Sequence, residues 1–199
     1  MSDKLPYEGA IEEAAKTAGK ALDLVQTAAP AIGEMYGFLI GDTIKDARAK
    51  RLERMAEKAN KRLADRGVTG KAETPEKLAI PLLEAAQTES REEMIDLWAR
   101  LLANAMDPNR IGDVRSEYVD IIKMFEPLDV QIMDYIASKN PATDQTAKHQ
   151  IFELIGCRPS AAVVSVNNLE ALGCVRLVGG NHFLALSELG REIVITVQP

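Results

Sequence analysis

The sequence predicts a mainly α-helical protein in two parts, a multi-helix N-terminal module over residues 1–126 and a small winged-helix-like α+β domain over 127–199. Three observations lead there. Aromatic residues make up only 5% of the 199-residue chain while Ala, Leu and Ile are plentiful, a composition suited to helices packed through aliphatic stripes rather than to a sandwich or barrel. Through much of the first 126 residues, apolar side chains recur at steps of three and four, the period of a helix with one buried face. Past Pro127 the texture changes to short helical segments followed by two short apolar runs around a glycine turn, the plan of three helices and a two-stranded wing. With 46% hydrophobic and 27% charged residues the chain sits near the globular average, which excludes wholesale disorder, collagen and low-complexity fibre.

The first element is an alanine-rich helix over 8–26, where Ile11, Ala15, Ala18, Leu22 and Val25 share a face. Pro30 breaks or kinks it. The stretch over 28–41 is nearly apolar except for Glu34, too short and too polar to span a bilayer unaided. Within it Gly33, Gly37 and Gly41 recur every fourth residue, and Ala29 extends the series backwards. On a helix these positions form one ridge without side-chain bulk, where another backbone approaches closely. Interior glycines cost a helix about 1 kcal/mol each relative to alanine, so a packing gain must offset them. Two readings stand: a tight crossing inside one soluble subunit, or helix association between copies or within a membrane.

Residues 43–66 predict a long helix closed by Gly67 at the C′ position. Leu52, Met55, Ala56, Ala59 and Leu63 occupy one sector at 100° per residue, and Lys50, Arg51, Arg54, Lys58, Lys61 and Arg62 occupy the opposite one. Such a basic face is ordinarily just solvated. Its functional reading is attraction to lipid headgroups, nucleic-acid phosphates or an acidic protein surface.

After a polar linker, Thr74 and Pro75 mark the next helix start, threonine as cap and proline in the first turn, and Pro81 interrupts or bends that helix. A second start is expected at Ser90, with Glu93 completing a capping box. Met94, Leu97, Trp98, Leu101, Leu102 and Ala105 then give a wide apolar face that ends at Asp107 and Pro108. A short helix over 116–125 presents Tyr118, Ile121, Ile122 and Phe125 in the same pattern. In the final part DVQIMDYIAS, TAKHQIFELIG and PSAAVVSVNNLEALG read as three helices, CVRLV and FLAL as a hairpin across GGNH, and a last helix begins near Ser187. The segment from Pro159 to Gly173 takes the recognition position.

The net charge of -6 conceals an asymmetry: residues 1–44 carry a net of -4, 45–71 a net of +6, 72–128 a net of -6 and 129–199 a net of -2. An acidic whole with one basic block argues against a dedicated nucleic-acid coat protein but allows a local patch for phosphates or an acidic partner. Cys157 and Cys174 lack a metal-binding spacing, and the opening MSDKLPYEGA lacks the basic-then-apolar plan of a signal peptide. A cytoplasmic location with both thiols reduced is the expectation, with peripheral contact to the inner membrane left open.

The blocks G-K-A-L-D and P-A-I-G-E-M within 19–35, I-P-L-L-E-A-A at 80–86 and D-L-W-A-R-L-L-A-N-A-M-D-P at 96–108 resemble the abortive-infection alpha family of bacterial and phage-associated proteins. The resemblance covers most of residues 10–135, and the block around Trp98 is its most specific element. It implies an all-helical module connected with the defence of bacteria against phage, in which the infected cell's growth is halted. It supplies no active site, and the winged-helix ending is read from this sequence alone.

Chemistry is sparse. Neither a GxxxxGK[ST] phosphate loop nor a GxGxxG between strand and helix is present. The two histidines, His149 and His182, sit in no metal motif. A cysteine nucleophile paired with a histidine is conceivable in the final part, but Cys157 follows a helix at a turn and Cys174 opens an apolar strand, where free cysteine is a small core residue. Glu12 and Glu13, like Glu92 and Glu93, stand in first turns where the helix dipole favours them. Trp98 belongs to an apolar face and reads as core. No catalytic, cofactor-binding or metal-binding residue is assigned, and no cofactor is expected.

Projecting residues 159–173 as a helix turns Ala162, Val166, Leu169 and Leu172 inward and Val163, Val164, Asn167, Asn168, Glu170 and Ala171 outward. Asn167 and Asn168 have the groups to read adenine edges, yet the helix contains no Lys or Arg, whereas DNA affinity depends on neutralising phosphates. The outward valines and asparagines suit a protein contact better. The reading is therefore a non-enzymatic helical defence protein acting by self-association as a homo-oligomer and by contact with a protein partner or membrane surface. Its rival is a transcriptional regulator whose winged helix binds an operator, with nucleic acid the less favoured partner.

Overall fold

The computed structural model describes residues 44–139 and 146–198, which fall into two compact units divided between Ser116 and Glu117. The chain is mainly α with a small α+β end. Among the described residues there are eight α-helices and one three-stranded sheet. The helix expected over 8–26 and the stretch over 28–41 lie outside the described residues.

In the first unit α1 (Ile44–Asp65), α2 (Glu76–Thr88) and α3 (Glu92–Met106) pack on one another, followed by a 3-10 turn at Ile111–Asp113. The α1 sequence holds no Gly or Pro and is built mostly from Ala, Lys, Arg, Glu, Leu and Met, the strongest helix formers. Its end follows from Gly67, whose φ of 70° is left-handed. Gly67 N–H donates to Ala64 O and Val68 N–H to Leu63 O, both at 2.9 Å, the paired bonds of a Schellman closure. The expected stripe of Leu52, Met55, Ala56, Ala59 and Leu63 is buried, joined by Ala49.

Two helix starts differ in detail from expectation. The capping position of α2 is Pro75, not Thr74. Thr74 is instead buried, its hydroxyl donating to Ala105 O at 3.2 Å, while Ala72 N–H donates to Met106 O at 2.8 Å. The linker thus satisfies two of the carbonyls that the end of α3 leaves unpaired. No capping box forms at Ser90 either, since α3 is preceded by Arg91 without a side-chain cap. The Glu89 carboxylate accepts the Ser90 and Arg91 N–H groups, each at 2.8 Å, and the Arg91 guanidinium. The bond from Arg91, with those backbone donors, holds the Glu89 carboxyl below its ordinary range against the upward push of burial. The α2 helix runs unbroken through Pro81.

Helix α3 is buried almost throughout, from Met94 and Ile95 through Trp98 to the run Leu101–Met106. Its end is fastened by Asp107 and Asn104, both buried. Arg66 donates to Asn104 Oδ1 at 2.7 Å and lies 3.7 Å from Asp107 Oδ2, and Asn109 N–H donates to Asp107 Oδ1 at 2.9 Å.

The second unit is built from α4 (Ser116–Ile122), α5 (Pro127–Ala137), β1 (Thr146–Ala147), a 3-10 turn at Lys148–Gln150, α6 (Ile151–Ile155), α7 (Pro159–Ala171), β2 (Val175–Val178), β3 (Phe183–Leu186) and α8 (Glu188–Thr196). Helix α4 groups with this unit although the change of texture was expected only after residue 126. The hairpin is as expected, with Val175 opposite Leu186 and Val178 opposite Phe183. Its turn carries positive φ at Gly179, Gly180 and Asn181, which glycine adopts freely and asparagine tolerates. The two-residue β1 pairs with the other edge of β3, giving the order β1-β3-β2.

Ser187 caps α8 by accepting Gly190 N–H at 2.9 Å, the role its short hydroxyl side chain suits. Gly190 is there for space: a Cβ at this position would overlap the Cys174 carbonyl group.

Candidate functional site

Helix α7 begins with Pro159 in its first turn, where the missing N–H costs nothing, and closes ahead of Gly173, which has φ of 71°. Ala162, Val166 and Leu169 are buried as projected, and so is Ser165. The outward face is real for Val163 and Val164, 52% and 69% exposed, and for Asn167. It is not real for Asn168. That side chain is half-buried and donates through Nδ2 to Asp129 Oδ2 at 2.8 Å and to Met124 O at 3.1 Å. Glu170 likewise leans in, with Lys148 Nζ 3.4 Å from its carboxylate.

The partner that turns Asn168 inward is Asp129, a buried carboxylate at the start of α5. It accepts Glu126 N–H at 2.8 Å as half of a capping box, the Ser165 hydroxyl and the Asn168 amide. One side chain therefore caps the start of α5 and clamps α7 to it. Sequence reasoning missed Asp129 because a carboxylate in a first turn is explained locally by the helix dipole.

Between these helices lies an open groove of about 640 Å³ whose lining includes Met124, Leu128, Ala161 and Val164, with Glu126 and Arg158 also bordering it. Met124 is itself 52% exposed. Apolar side chains standing in water next to a shallow groove gain about 1.5–3 kcal/mol each on full burial.

Five of the six basic residues assigned to the α1 face have partners inside the first unit. Arg54 pairs with Glu92, Lys58 lies 2.9 Å from Glu92 and 3.4 Å from Asp96, and Arg62 meets Asp96 at 2.7 Å. Arg51 donates to Gln87 O at 3.2 Å and Lys61 pairs with Asp65 at 3.0 Å, while Lys50 is exposed. The positive block thus lies along the acidic start of α3 as an ion-pair seam. At Asp96 burial pushes the carboxyl upward, but bonds from Arg62 and Arg100 outweigh it and hold the group below its ordinary value. The bond from Lys58 does the same for Glu92. The packing residues Ala29, Gly33, Gly37 and Gly41 lie outside the described residues.

Of the reactive side chains, Cys174 is fully buried and burial pushes its thiol up to about 11, the setting of a core cysteine. Cys157 is half-buried, and His149 and His182 are exposed. Among the described residues no three His, Cys, Asp or Glu side chains gather to hold a metal ion, and no helix is long and apolar enough to cross a membrane.

The family model described as "Abortive infection alpha" matches residues 47–192. No curated protein and no solved structure matches the chain.

Proposed function

The chain belongs to the abortive infection alpha family, and from that membership we propose that it serves in the abortive defence of bacteria against phage by making protein contacts through the outer face of α7, with a partner or a second copy. The observation that carries this reading is where the water-exposed apolar side chains are. Among the described residues every exposed large hydrophobic belongs to the second unit: Met124, Leu154, Val163, Val164 and Ile195. Two of the five stand side by side on α7 and a third lines the adjacent groove. Clustered apolar exposure marks interaction surfaces more often than chance.

The test is the double variant Val163→Asp and Val164→Asp, expressed in cells challenged with phage. Unfolding temperature should hold, because both side chains face water, while protection falls and any self-association seen by sedimentation is lost. Full protection and unchanged assembly would remove α7 from the mechanism.

One observation favours a DNA-binding regulator, namely that α7 precedes the hairpin in the order of a winged helix-turn-helix. Its weakness is chemical. With no Lys or Arg inside α7 and Asn168 engaged by Asp129, only Asn167 is left of the two side chains able to read a base edge. A specific gel shift abolished by Asn167→Ala would establish the regulator in place of the contact protein.

A further inference from the structure

The second unit holds a cavity of about 290 Å³ bounded by Ile136 of α5, Leu184 and Leu186 of β3, and Val194 and Ile195 of α8. A water occupies about 30 Å³ in the liquid, so the space is of the order of ten waters, at the lower limit for small-molecule pockets. Its lining is mostly apolar, and among the described residues its charged members are Lys139 and Arg191, with no Asp or Glu. A polar cavity without apolar walls would fill with water, and an apolar one without charge would take any hydrocarbon.

Both cations are held in place. The Lys139 ammonium stands 4.5 Å from the centre of the Tyr135 ring. Arg191 donates to Leu186 O at 3.2 Å and pairs with Glu188. The Glu188 side chain is 88% exposed, so water screens its hold on the guanidinium.

We infer that this cavity binds a small amphiphilic carboxylate, its alkyl chain among the α5, β3 and α8 side chains and its head group toward Lys139 and Arg191. The site lies on other residues than the α7 face and does not depend on it.

Decanoate is the probe, titrated by calorimetry into the full chain and kept below its micelle concentration, with decylamine and decanol as controls. Saturable binding of decanoate is expected, with decylamine silent and decanol weaker. Lys139→Gln, a side-chain change at the rim, should weaken decanoate about threefold to fivefold, the range of a partly exposed ion pair. Ile195→Trp, which adds bulk to the α8 wall of the cavity, should weaken it at least about tenfold. The inference is overturned by an absence of saturable heat, by decylamine binding as tightly as decanoate, or by Lys139→Gln leaving the affinity unchanged, a result that stands even where Ile195→Trp fails to fold.

Discussion

Asp96→Asn should destabilise the first unit by about 2 kcal/mol at neutral pH. The carboxylate receives three cationic donors, Arg62 Nη2 at 2.7 Å, Arg100 Nε at 2.9 Å and Lys58 Nζ at 3.4 Å. A hydrogen bond to a charged group contributes about 1.5–3 kcal/mol when sheltered, and an exposed ion pair about 0–1 kcal/mol. Asp96 is 21% exposed, as are Arg62 and Arg100, so the set falls between those limits. The amide keeps one acceptor oxygen but turns two donors toward guanidinium groups that have only donors to offer. At about 4–8 °C per kcal/mol for a domain of this size, such a loss lowers the melting temperature by about 8–16 °C.

The readout is built in, because Trp98 is the sole tryptophan, sits buried on the same helix and so reports the first unit. The pH dependence has a definite sign. Asp96 titrates below its ordinary value of 3.8, so its contribution is present above that value and is lost as the pH falls through the depressed one. The gap between wild type and variant should be full at neutral pH and close as the pH falls below 3.8 through the depressed value. Equal melting at neutral pH, or a gap that persists undiminished in acid, would refute the seam as a source of stability.

Two further outcomes separate neighbouring residues or test one close approach. Asn168→Ala should cost about 1–3 kcal/mol, since it leaves the buried Asp129 carboxylate short of a donor, whereas Asn167→Ala at an exposed position should stay within about 0.5 kcal/mol; chemical denaturation followed by circular dichroism compares them. Gly190→Ala should cost about 3 kcal/mol or more, because the added methyl overlaps the Cys174 carbonyl and α8 must move off the hairpin. A Gly190→Ala protein that melts with the wild type would show that α8 is not held against Cys174.

What the sequence disclosed was what repeats. The α1 stripe, the buried side of α3 around Trp98 and the hairpin with its Gly179–Gly180 turn all carry a period or a turn signature over several residues. Single-residue events were opaque. The pair Thr146 and Ala147 is too short to alternate, so β1 exists only because β3 offers it an edge. Ser90 looks like a cap, yet Glu89 one residue earlier has the longer reach and takes the backbone donors. Asn168 projects outward on a helical wheel because the wheel knows nothing of Asp129, thirty-nine residues away in sequence.

The same distinction decides where a partner is to be sought. By sequence the most conspicuous surface was the +6 block over 45–71, and a free cationic face would draw phosphates or acidic proteins. Within the fold Glu92 and Asp96 lie along it, so Arg54, Lys58 and Arg62 already face carboxylates. An external anion would have to displace a tethered one, whose effective concentration is that of a neighbour on the same chain. Val163 and Val164 face the reverse situation. Their side chains meet water, nothing has to be displaced but that water, and its release is favourable. Arg54, Lys58 and Arg62 are therefore engaged by carboxylates of their own unit, whereas contact at Val163 and Val164 has only water to displace.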